Sequence, residues 1–312
     1  MADVASTSDA GLIRRRSPGG SYWSWFAAPG VIWLTVFFVV SVYAVAAVAF
    51  GRVDPLLKTP IPAWNPTSWR GDAMRDVLDR VIGGDLGRVA LRTFGFVGAA
   101  LAGCVAIGYP VAYFVARAAG RSRGLVLGLL VLPFWISYLM RMLAWTNLLQ
   151  ADGYVNRVLG WVGLVDEPRT WLDGSASTVV IGLVYGYVPF FILPMFSALE
   201  RIDVRFIEAA RDLGASRFAA FARITLPLSV PGLLAASVIT VLPMFGDYYT
   251  NSYLTSGSPR TEMIGNQIEF FLRGSSQPQK GAALVLLLMG ALLVLMVYCL
   301  VAMLRQQRAM ER

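Results

Sequence analysis

The chain has 312 residues, 56% of them hydrophobic and only 15% charged, with a formal net charge of +8 and a mean hydropathy of +0.60. Soluble domains of this length carry far more charge, so the composition is that of an integral membrane protein. With no histidine in the chain, His-based triads, His-ligated metals and imidazole relays are excluded. No G-x-x-x-x-G-K-[ST] run occurs, so any ATP chemistry must come from a partner.

Residues 1–22 are polar and small, with Arg14, Arg15 and Arg16 ahead of the first apolar run. Ser21–Phe50 is too long for a signal peptide and lacks a small-residue cleavage site, so it is expected to be an uncleaved first span behind a disordered cytoplasmic tail. Residues 51–91 form a polar segment with four prolines, and Asp72–Arg92 is predicted as a helix outside the membrane. The second span is Thr93–Ala116, closed by Arg117, Arg121 and Arg123. The third runs from Gly124 to Leu149, interrupted only by Arg141. A loop at 150–173 follows, with an Asp152-Gly153 turn and a surface helix around Tyr154–Val165. Spans four, five and six are Gly174–Leu199, Leu228–Gly246 and Gly281–Leu304, and Arg305, Arg308 and Arg312 form the tail. Cys104 and Cys299 fall inside spans, as small apolar packing residues and not as a disulfide.

Six spans put both termini, the 117–123 loop and the loop after span four on one side. Three arginines within the seven residues 117–123 mark that side as cytoplasmic. The loop after span four, residues 200–227, is an island of charge whose core reads EAARDLGASRFAAFARITLP, Glu208–Pro227. Asp203 is placed to cap a helix over Val204–Leu213. Gly214 sits where a left-handed C-terminal cap is needed. Ser216 then caps a second short helix that is predicted to end at Leu226–Pro227. Ala209 and Ala210 leave one face nearly bare for another protein. A helix-turn-helix is the competing reading, but Phe218, Ala219, Ala220, Phe221 and Ala222 offer no polar groups to base edges, which argues against nucleic acid. A plain amphipathic linker is the other alternative.

This stretch resembles the EAA loop of ABC importer permeases, matching at Glu208, Ala209, Ala210, Gly214, Ile224, Leu226 and Pro227. The resemblance implies an all-α integral membrane bundle of six transmembrane helices, one permease domain over 23–312, with the loop as the cytoplasmic coupling helix. It further implies a separate ATPase subunit that holds the ATP and magnesium, with no cofactor or metal on this chain.

Two charges lie at span edges opposite the loop. Arg141 is about 17 residues into span three and Asp247 about 19 into span five, roughly 25 and 28 Å at the helical rise. Both are thus expected near the outer face of the hydrocarbon core, either pairing with each other or snorkelling to the headgroups. Trp135, Tyr138, Tyr185, Tyr187, Phe190, Phe191, Tyr248 and Tyr249 are placed at similar depth. Such rings can hold organic ammonium groups or form an interfacial belt.

Pro133–Leu149, Val180–Asp203 and Phe245–Phe271 resemble the B-type subunits of spermidine/putrescine importers, while Gln277–Lys280 departs from them. That resemblance implies a prokaryotic plasma-membrane permease for small cations, paired with a C-type permease subunit and served by an extracytoplasmic solute-binding protein. Asp247, Tyr185, Trp135, Tyr138, Tyr248 and Arg141 become the candidate substrate-pathway residues. The alternatives are an ABC permease for another small solute, such as an amino-acid derivative, phosphonate or metal complex, and a membrane anchor that binds a cytoplasmic partner.

Overall fold

The computed structural model describes residues 20–57, 59–165 and 167–310, with side chains from Phe26 to Arg305. Of the expected tail at 1–22, residues 1–19 lie outside the described residues. Contacts divide the chain between Ala44 and Val45 into two compact units. The first holds most of α1 (Gly20–Ala49), which begins three residues before the expected end of the tail. Two of its hydroxyls bond within the helix, Thr35 donating to the Val31 carbonyl at 2.7 Å and Ser41 to that of Phe37 at 2.8 Å, a common way to satisfy a hydroxyl on an apolar helix.

The second unit opens with a two-residue antiparallel ladder, β1 (Arg52–Val53) with β2 (Pro60–Ile61). Asp54 closes the turn between them by accepting from the Leu56 and Leu57 backbone at 2.8 and 3.0 Å. Those bonds, Leu57's first, hold its carboxyl below the ordinary range.

α2 (Asp72–Gly83) and α3 (Asp85–Arg117) follow. The helix expected at 72–92 is therefore split, and its second half is the start of the second span. Gly84 is the reason: a Cβ there would lie 2.8 Å from the Arg80 carbonyl oxygen. Arg80 then ties the two helices by pairing with Asp85.

The third span is broken. After a 3₁₀ turn at Gly120–Ser122, α4 (Arg123–Val131) leads into a second 3₁₀ turn, Leu132–Trp135. Ile136 and Ser137 are extended, and α5 (Tyr138–Leu148) restarts at 88° to the first half. Pro133, which lacks an N–H, lies in the turn just before this break. α6 (Tyr154–Trp161) caps the following loop, and α7 (Ala176–Glu200) is the fourth span, matching its expected bounds closely.

α8 (Val204–Asp212) and α9 (Arg217–Ala220) form an elbow. A π-turn at Phe221–Thr225 joins α9 directly to α10 (Leu226–Phe245), the fifth span. α11 (Tyr249–Leu254) and α12 (Ile264–Glu269) lie at the far end, and α13 (Pro278–Met310) is the sixth span. Among the described residues, five helices are long and apolar enough to cross a membrane, and the bent pair supplies a sixth.

α7 is the centre of the second unit, with α3 and α10 against it. Val97, Ala100 and Cys104 of α3 meet Leu183, Phe191 and Met195 of α7 and Met244 and Phe245 of α10 in one buried cluster. Small residues permit the approach. A Cβ on Gly108 would stand 2.6 Å from the Phe191 ring, and one on Gly232 only 2.1 Å from the Ala198 Cβ. Close van der Waals contact of this kind is what holds helices together where lipid removes the hydrophobic drive.

Candidate functional site

At one end of the bundle stands the elbow. Asp203 accepts from the Arg205 N–H at 2.9 Å and Ser216 from that of Ala219 at 3.1 Å, so both predicted N-caps are present. Gly214 has φ +89°. Its N–H reaches the Arg211 carbonyl at 2.9 Å, and the Ala215 N–H reaches that of Ala210 at 3.0 Å. This pair of bonds is the Schellman closure, which requires the left-handed conformation at Gly214.

Glu208 and Ala209 are exposed and Ala210 half-buried. Around them Phe206, Leu213 and Phe218 are 59%, 89% and 78% exposed. Apolar side chains so bare, beside two alanines, form a surface suited to another protein.

The second short helix does not stop at Leu226–Pro227 as expected. In the π-turn the Leu226 N–H reaches back to the Phe221 carbonyl, widening the helix just ahead of Pro227. A proline ring clashes with the carbonyl four residues back in a regular α-helix, and the extra residue of a π-turn relieves that strain. Ile224 lies half-buried in the turn, and Leu226 and Pro227 open α10. The second helix of the elbow and the fifth span are one continuous rod.

The 117–123 loop and the end of the sixth span meet this end. Arg117 donates to the carbonyls of Leu199 and Ile202 at 3.0 and 2.9 Å, satisfying the last turn of α7 with a cation. Arg123 pairs with Glu200 at 2.6 Å. Met303 of α13 lines a cavity of about 570 Å³ together with Arg201 and Phe206.

At the far end, the end of α10 and the start of α5 form a polar knot. Asp247 is 4% exposed. Its Oδ1 accepts from the Thr250 N–H at 3.0 Å, and its Oδ2 from the Thr250 hydroxyl at 2.5 Å and the Tyr138 phenol at 2.7 Å. Tyr138 is lodged against Gly186, where a Cβ would lie 2.8 Å from its ring. Beyond it, the Arg141 guanidinium sits 5.1 Å over the Tyr138 ring and 4.4 Å over Phe134.

Arg141 is 7% exposed, so it does not snorkel, and among the described residues no ion pair joins it to Asp247. Tyr138 stands between the two charges. The straight-helix depth for Arg141 also fails, because the chain turns through 88° just before it. Tyr187 lies 5.8 Å from Tyr138, and Tyr248 stacks on Tyr249 at 4.1 Å.

Tyr185 and Trp135 are not part of this group. Tyr185 packs on Trp145 at 5.1 Å in a cluster with Met142 and Leu254 that Tyr138 and Tyr249 also border, and it faces away from Tyr187 since residues two apart on a helix face different ways. Trp135 is 88% exposed at the break in the third span.

A second network, absent from the sequence reading, holds the loop after α10. Asn251 accepts from Thr261 at 3.1 Å and also from Thr255, and donates to Asn266 at 3.2 Å. Asn266 donates on to the Tyr248 carbonyl at 3.0 Å. A Cβ on Gly265 would meet the Asp247 carbonyl oxygen at 2.6 Å, so α12 rests directly on the backbone of the knot. Lys280, in the divergent stretch, pairs with Asp76 of α2 at 2.7 Å, a tie between α13 and α2.

Comparison with known proteins bears on all of this. The model of the family described as binding-protein-dependent transport system inner membrane component matches residues 105–309. The spermidine/putrescine transport system permease protein PotB of Escherichia coli K12 is 38% identical over 196 residues, 62% of this chain and 70% of that protein. Its Haemophilus influenzae counterpart is 37% identical over 197 residues, covering 62% and 68%. Among solved structures, a bacterial ABC transporter involved in the import of the acidic polysaccharide alginate aligns with a TM-score of 0.68 at 19% identity, covering 91% of this chain and 96% of that one. This last likeness is one of fold.

Proposed function

We propose, since the chain belongs to the family of binding-protein-dependent transport system inner membrane components, that it is one permease subunit of an ABC importer for polyamines. The observation that carries the reading is the elbow, a doubly capped, glycine-closed helix whose bare Glu208–Ala209–Ala210 face is ringed by exposed Phe206, Leu213 and Phe218. Such a face suits the groove of an ATPase partner. The cationic substrate is proposed from the curated relatives, which are named for spermidine and putrescine.

In this scheme a solute-binding protein delivers the amine to the far end, and a second, C-type permease subunit completes the path. The ATPase partner binds ATP and magnesium and drives the elbow; this chain makes and breaks no covalent bond. Both termini and the elbow face the cytoplasm of a prokaryote.

The geometry supports a direct mechanical route. Movement of α8 passes through the short Leu213–Ser216 turn into α9, and from α9 through the π-turn into α10 without a further loop. Asp247 lies two residues past the end of α10, and its bonds to Tyr138 and Thr250 carry the movement into α5 and α11. A rigid rod joined to a bonded knot is the kind of element that switches between two discrete arrangements.

Uptake of labelled spermidine by cells that express this chain with its neighbouring ATPase, second permease and binding protein tests the proposal. Saturable uptake, competed by putrescine, is the expected result. Co-purification of the ATPase without any polyamine uptake would retain the importer and remove its substrate.

A further inference from the structure

The acidic residue open to a cation at the far end is not Asp247. Both of its oxygens are taken by Thr250 and Tyr138, and an ammonium group would have to displace those bonds in a site only 4% exposed. Glu269, the last residue of α12, is placed differently. Its side chain is 34% exposed, and its charged neighbour Arg273 stands 3.9 Å away, beyond hydrogen-bond distance.

Glu269 borders a cavity of about 350 Å³ between the end of α10, α12 and α13, shared with Gly246, Tyr248, Gly265, Arg273 and Val285. Tyr248, which stacks on Tyr249, lines it. The volume is that of a small-molecule site. The lining offers what an alkylammonium needs: a carboxylate for the charged head, an aromatic face beside it and aliphatic wall for the methylene stem.

We propose that Glu269, with Tyr248, forms an ammonium-binding post that sets the importer's preference for polyamines; this rests on the polyamine-importer reading above. Arg273 is the internal cation that the incoming ammonium displaces, and its 76% exposure leaves it free to swing away. The post is tied to the coupling machinery. Gly265, one helical turn before Glu269, bears on the Asp247 backbone, so a shift of α10 moves the post with it.

The test is the concentration dependence of spermidine uptake by the whole importer, with the membrane level of each variant measured alongside. Glu269→Gln is expected to raise KM about tenfold or more, the worth of one charge-assisted hydrogen bond, while the maximal rate per transporter holds. Glu269→Asp should recover most of the affinity, and Arg273→Ala should leave KM equal or lower. Tyr248→Leu, a second variant away from the ion pair, should raise KM without lowering the maximal rate.

Wild-type uptake together with an unchanged KM in Glu269→Gln would overturn the post and leave the importer reading standing. Should Glu269→Gln fail to accumulate, an unchanged KM in Tyr248→Leu would overturn it equally. A wild-type importer that takes up no polyamine would remove both.

Discussion

The phenol of Tyr138 donates to Oδ2 of Asp247 at 2.7 Å, joining the restart of the broken third span to the end of the fifth. Tyr138 also carries the Arg141 guanidinium on its ring, so one aromatic residue separates a buried cation from a buried carboxylate. The face of the ring attracts the guanidinium through its quadrupole while its hydroxyl donates to the carboxylate, so the two charges need not touch. This arrangement also makes Tyr138 the residue on which the far end depends.

Tyr138→Phe is therefore expected to cost about 1–3 kcal/mol of stability, the range for a hydrogen bond to a charged group or a polar atom left unpaired. Asp247→Ala should cost more, since it leaves the Thr250 N–H without its acceptor and the two hydroxyls with only each other, 2.8 Å apart. The two changes should combine to less than their sum, because they remove a shared bond. Thermal unfolding of the purified importer in detergent measures all three. Strict additivity would show that the bond contributes nothing.

The contact between the fourth and fifth spans gives a second expectation. Gly232→Ala places a methyl 2.1 Å from the Ala198 Cβ, which no rotamer relieves, and overpacking of this kind costs about 1–3 kcal/mol. Adding Ala198→Gly should restore part of the loss, less the cost of about 1 kcal/mol for glycine within a helix. Unfolding temperatures of the single and double variants decide it. No recovery in the double variant would mean the spans touch elsewhere.

The loop between the third and fourth spans depends on one side chain. Asn156 donates to the carbonyls of Gln150, Ala151 and Arg169 at 3.0, 3.2 and 3.0 Å. It also accepts from the Arg169 N–H at 3.2 Å and the Trp171 indole at 2.9 Å. Asn156→Ala should open the loop and speed tryptic cleavage at Arg157 or Arg169, with membrane insertion unchanged. Cleavage at the wild-type rate would show that Trp171 alone secures the loop.

Much of this architecture could be read from local chemistry. The fourth span was legible because hydropathy alone marks a long apolar run, and the elbow because caps at Asp203 and Ser216 and a left-handed glycine act within a few residues. Non-local facts were not legible. Nothing in the run Pro133–Leu149 distinguishes a kink from a full break, since that depends on what the freed backbone finds to bond. Asp247 and Arg141 read alike as edge charges, yet Asp247 is bound by Tyr138 of another span and Arg141 rests on Phe134 across the break. Pro227 signals a helix end locally, but a π-turn absorbs it. Asn156, Asn251 and Asn266 carry no sequence signal beyond being polar, and only the fold shows how many bonds each makes.

The central claim is that the elbow couples an ATPase to transport, and Gly214 tests it most directly. No atom lies within 4 Å of a Cβ built there, so a substitution acts through the backbone at φ +89° and not through a clash. Valine is strained in that conformation, whereas asparagine tolerates it. Substrate-stimulated ATP hydrolysis by the reconstituted importer should fall to the basal rate in Gly214→Val and stay near wild type in Gly214→Asn, with permease levels equal. Full stimulation in the valine variant would contradict the coupling role of the elbow.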